Sequence, residues 1–74
     1  MEERHLAEAD RHIASGERLI GEQELRLAEL AASGQDTDGA EKLLQHLRDT
    51  LQAYYAHRQL IVEEIERGER SHPG

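Results

Sequence analysis

Leu6, Ile13, Ile20 and Leu27 stand seven residues apart, and no other feature of this chain constrains its fold so strongly. A seven-residue apolar repeat keeps one stripe of an α-helix turned toward a partner helix, here with large side chains at the a position of a heptad. The companion d positions are Ala9, Gly16, Gln23 and Leu30. Small residues therefore alternate with large ones and let a neighbouring helix come close. The far side carries Arg4, Arg11, Arg18, Glu22 and Glu29, so the helix is amphipathic. The pattern predicts a helix over about 2–33. It is expected to run unbroken through Gly16 and Gly21, although each glycine costs about 1 kcal/mol against alanine.

A second repeat follows. Ala40, Leu47, Tyr54 and Ile61 form one row, and Leu44, Leu51, Arg58 and Ile65 form the other, predicting a helix over about 38–67. Gly68 offers a helix stop, and 69–74 read as a flexible tail because Pro73 does not continue a helix. Between the two repeats, residues 34–37 read as the turn. Gly34 takes the left-handed conformation without a Cβ clash, and Thr37 or Asp38 caps the second helix.

So short a connector makes the two helices antiparallel neighbours. With the fold centred on residue 37, residues whose numbers sum to 74 meet across the seam. Leu30 then faces Leu44, Gln23 faces Leu51, Ile13 faces Ile61, and Gly16 faces Arg58. Two readings of Arg58 follow: an anchor for a carboxylate such as Glu17 across a dimer interface, or a methylene stem lying over Gly16 with its guanidinium in water. Gln23, polar on the seam, specifies register.

The chain is thus read as one all-α domain, 1–74, an antiparallel two-helix hairpin resembling a coiled coil. A chain of this length buries only about 60% of its unfolded surface, and its core needs support. With no cysteine, disulfides and thiolate zinc sites are excluded, which leaves packing quality or self-association. The stretch from Ala53 to Val62 is apolar around most of its circumference, more than a hairpin seam covers. Tyr55, Leu60 and Val62, together with Leu19 and Leu25, are the candidate interface residues, with Arg58 beside them. Apolar rows of this kind mark partner surfaces. The expected solution is a homodimer of hairpins, a four-helix bundle with an isologous interface.

Sixteen acidic residues against nine basic ones give a formal charge of −7, and that field opposes both nucleic acid and an anionic membrane surface. It is compatible with a basic protein partner. No run of 18 apolar residues is present, and the N-terminus lacks the basic start and apolar core of a signal peptide. The expected location is the cytoplasm.

Side chains that carry chemistry are sparse. Glu8, His12 and His57 come to one level in the antiparallel hairpin and are the candidate metal ligands, but helical bundle metal sites use Glu-x-x-His, a spacing these three residues do not form. His12 and His57 flank the seam, so a pH-responsive bundle is a related reading. Ser15, Ser33 and Ser71 have no strained elbow or neighbouring base. No phosphate-binding glycine loop is present, and Asp36-Thr37-Asp38-Gly39 lacks the full calcium-loop frame. No catalytic residue and no cofactor is expected.

His5-Leu6-Ala7-Glu8-Ala9-Asp10-Arg11-His12-Ile13, Asp36-Thr37 ahead of Ala40-Glu41-Lys42-Leu43-Leu44, and His57-Arg58 resemble a group of short bacterial helical-hairpin proteins of unassigned function. The resemblance spans most of the chain and implies a compact all-α protein without implying an activity. Gly39 departs from it. The functional expectation is a non-enzymatic interaction or scaffold module that self-associates. The alternatives are an acidic regulator of a basic partner, or a metal- or pH-responsive bundle built on Glu8, His12 and His57.

Overall fold

The structure, a computed structural model, describes the backbone of residues 2–71 and the side chains of 4–68. Two helices, α1 (Glu2–Ala32) and α2 (Asp38–Ser71), pack against each other as an antiparallel hairpin 64 Å long and 14 by 13 Å across. There is no strand among the described residues. α1 runs unbroken through Gly16 and Gly21. No helix among the described residues is long and apolar enough to cross a membrane.

Gly34 ends α1 with φ +71°. The Gln35 N–H donates to the Leu30 carbonyl at 3.0 Å and the Gly34 N–H to the Ala31 carbonyl at 3.1 Å. This pair of reversed bonds is the Schellman arrangement, which satisfies carbonyls left orphaned at the helix end. At the start of α2, the Thr37 carbonyl accepts the first helical bond, from the Glu41 N–H at 2.9 Å, so Thr37 occupies the cap position. The side chain that satisfies a free N–H is a different one. Asp36 accepts from the Asp38 N–H at 3.0 Å. Asp38 and Glu41 in the first turn add negative charge where the helix dipole favours it.

The buried residues Ala9, Ile13, Gln23, Leu44 and Ile61 all belong to the a and d rows, so the two stripes do face each other. Their register differs from a fold centred on residue 37. Leu51, not Arg58, lies over Gly16: a Cβ placed on Gly16 would stand 3.1 Å from Leu51 Cδ1. His12 meets Tyr54 with ring centroids 5.3 Å apart. The α2 residues in these pairs lie about one heptad nearer the turn than numbers summing to 74 would put them. The cause is the turn itself. The Schellman bonds close α1 at Ala32 and Asp36 opens α2, so the reversal centres close to Gly34 and not on residue 37.

Gly68 does not stop α2, which continues to Ser71. Glycine weakens a helix interior by about 1 kcal/mol without forbidding it, and Gly68 keeps φ in the ordinary range. The helical residues 69–71 thus correct the expected tail, and 72–74 lie outside the described residues.

Candidate functional site

The hairpin has two unlike faces, set by which heptad rows flank the seam. On one face the row Asp10, Glu17, Glu24 of α1 meets α2 through three polar contacts. Arg58 Nε donates to Asp10 at 2.6 Å, the Tyr55 hydroxyl to Glu17 at 3.0 Å, and Arg48 Nη2 to Glu24 at 3.2 Å. These side chains remain substantially exposed, so each ion pair stabilises by at most about 1 kcal/mol. Their spacing nevertheless ties the middle of this face, from Asp10 to Glu24 of α1. The Tyr55 hydroxyl is pushed above its usual pKa, first by its bond to Glu17, then by partial burial and by the repulsion of that carboxylate.

This arrangement corrects the readings of Arg58. Its guanidinium is engaged by Asp10 of its own chain, while Glu17 is taken by Tyr55. Asp10 lies six residues, nearly two helical turns, from Gly16, the expected neighbour of Arg58, because of the shifted register.

The opposite face is open and less polar. Its outline is a chain of three shallow hollows. The first, near the turn, is bordered by Leu19, Glu22, Arg26, Glu29 and Leu43. The second is bordered by His12, Ser15, Leu19, His46 and Leu47, and the third by His5, His57, Leu60 and Glu64. Four of the five histidines of the chain therefore stand on this one face. Three large apolar side chains on it are exposed: Leu19 at 41%, Leu43 at 48% and Leu60 at 58%.

The candidate interface residues are divided by these two faces. Leu19 and Leu60 share the histidine face. Tyr55 and Arg58 belong to the polar face, where both are bonded to α1. Val62 is half-buried in the same heptad row as Tyr55, and Leu25 projects alone, 63% exposed, in the row of Arg11 and Arg18. Leu43 was not among the expected interface residues. Its signal was present in the sequence, since it begins the seven-spaced row Leu43, Thr50, His57 beside the seam.

Glu8, His12 and His57 are not brought together as a metal-holding group. No group of three or more such side chains that could hold an ion occurs among the described residues. His12 instead stacks at an angle on Tyr54, and His57 borders the hollow of His5 and Leu60. Gln23 is buried at 8% exposure, and its Nε2 donates to the Ala40 carbonyl at 3.1 Å, a bond that crosses the seam. Comparison with protein-family models, curated proteins and solved structures found no match.

Proposed function

We propose that the hairpin is a non-enzymatic protein–protein interaction or scaffold module that self-associates by helix packing. The observation carrying this reading is the asymmetry of its faces. One face is tied by Asp10–Arg58, Glu17–Tyr55 and Glu24–Arg48, while the other leaves Leu19, Leu43 and Leu60 in water. Exposed apolar side chains aligned along one face favour contact with another apolar surface, because removing them from water is worth about 25 cal/mol per Å². A pair of helices alone has a thin seam, with five buried residues among those described, and a second layer would add to it.

The same asymmetry weighs against an acidic regulator that captures basic proteins, since three carboxylates of the acidic row already serve cations or a hydroxyl within the hairpin. Sedimentation velocity over a range from sub-micromolar to hundreds of micromolar tests the proposal. The expected result is a concentration-dependent shift from monomer to dimer. A monomer throughout would overturn it.

A further inference from the structure

We propose that the occupant of the histidine face is a second copy of the chain, lying antiparallel to the first and related to it by a two-fold axis across the middle of the hairpin. This deepens the self-association reading and rests on it. The argument comes from the order of side chains along the face. A two-fold axis perpendicular to the helices lays α1 on α1 and α2 on α2 of the second copy, each reversed. On α1, reversal about residue 17 pairs residues whose numbers sum to 34. His5 then faces Glu29, Glu8 faces Arg26, His12 faces Glu22, and Ser15 faces Leu19, with each second member belonging to the other copy. No two carboxylates and no two cations oppose each other. Sliding by one heptad in either direction sets Leu19 against Glu8 or Glu22.

The same operation on α2 pairs residues whose numbers sum to 103. Leu43 faces Leu60, His46 faces His57, and Thr50 faces Ala53. The two exposed leucines of this helix thus cover each other. A single axis must serve both helices, and the hairpin meets that condition independently of the pairing. The Gly16–Leu51 contact holds residue 17 of α1 level with about residue 50 of α2, within two residues of the α2 centre between Leu51 and Gln52, and the Glu17–Tyr55 hydrogen bond crosses the hairpin at that height.

The other face-to-face choice is a two-fold axis along the hairpin, which lays α1 on α2. In the register of the Gly16–Leu51 contact, it sets Leu43 beside Glu22 and Arg26, and Leu60 beside Glu8, so neither leucine finds an apolar partner. Size also fits. A face 64 Å by 14 Å projects to roughly 900 Å², close to the roughly 800 Å² per partner of a standard interface.

Because the chain has no cysteine, single introduced thiols report the geometry cleanly. Leu43→Cys and Leu60→Cys, mixed and oxidised, are expected to give a disulfide between positions 43 and 60 several-fold more abundant than the disulfide of either variant alone. Thr50→Cys, which keeps both leucines and lies near the axis, is expected to link to itself. Sedimentation of the unmodified chain accompanies these experiments. If the chain sediments as a dimer while Leu43→Cys links chiefly to itself, or while none of the three thiols links, this face and orientation are overturned and self-association stands. If it sediments as a monomer at every concentration, both proposals fall together.

Discussion

The Tyr55 hydroxyl donates a 3.0 Å hydrogen bond to the Glu17 carboxylate, joining α2 to α1 midway along the polar face. That bond keeps the phenol protonated to higher pH than a free tyrosine. A group whose pKa is raised in the folded state contributes stability that is full below the unfolded pKa, near 10 for tyrosine, and is lost as pH rises through the folded value. Thermal melts between neutral pH and pH values above the tyrosine range are therefore expected to fall in midpoint at the alkaline end. Tyr55→Phe should melt lower at neutral pH and lose part of that alkaline decline. An unchanged decline in the variant would contradict the assignment.

Gly21 and Gly16 both lie inside α1, yet they answer substitution differently. A Cβ on Gly21 meets nothing within 4 Å, whereas one on Gly16 meets Leu51 Cδ1 at 3.1 Å. Gly21→Ala should stabilise by about 1 kcal/mol through helix propensity, raising the melting midpoint by roughly 4–8 °C in a domain of this size. Gly16→Ala gains the same propensity but displaces a seam leucine. Its midpoint is expected to lie below that of Gly21→Ala, measured by circular dichroism.

Gly34 holds φ at +71°, where an L side chain is strained. Gly34→Ala should destabilise by about 1–2 kcal/mol, even though a Cβ there meets nothing within 4 Å. The cost is conformational and not steric crowding from neighbours. Urea titration with an unchanged m value and a lower midpoint is the expected signature.

Gln23 is the buried polar residue of the seam, and its amide reaches the Ala40 carbonyl of α2. Gln23→Ala removes both this bond and packing volume and should cost about 1–3 kcal/mol. Gln23→Leu keeps the volume. The Ala40 carbonyl retains its place in the α2 ladder, so the leucine variant should stay within about 1 kcal/mol of the parent. Equal loss in both variants, read by chemical denaturation, would show that the hydrogen bond outweighs the packing.

The heptads were sufficient for two helices, their antiparallel order and the membership of the seam, because periodicity and a short Gly34 turn are local properties of the chain. Cysteine absence and net charge likewise followed from composition. The register did not. It depended on whether Thr37, Asp38 or Asp36 supplied the cap and on where the Schellman bonds closed α1, and a shift of one heptad along α2 leaves the apolar pattern equally satisfied. That shift placed Leu51 over Gly16 and turned Arg58 to Asp10.

Tertiary structure also decided what the apolar surplus means. In sequence, Tyr55 and Leu60 looked like parts of one surface; folded, Tyr55 is bonded across the polar face and Leu60 stands on the histidine face with Leu19 and Leu43. Heptad spacing determined that these residues flank the seam. Only the packed pair of helices decided which flank is closed by charge and hydroxyl bonds and which remains open, since that depends on side chains far apart in sequence meeting at one level.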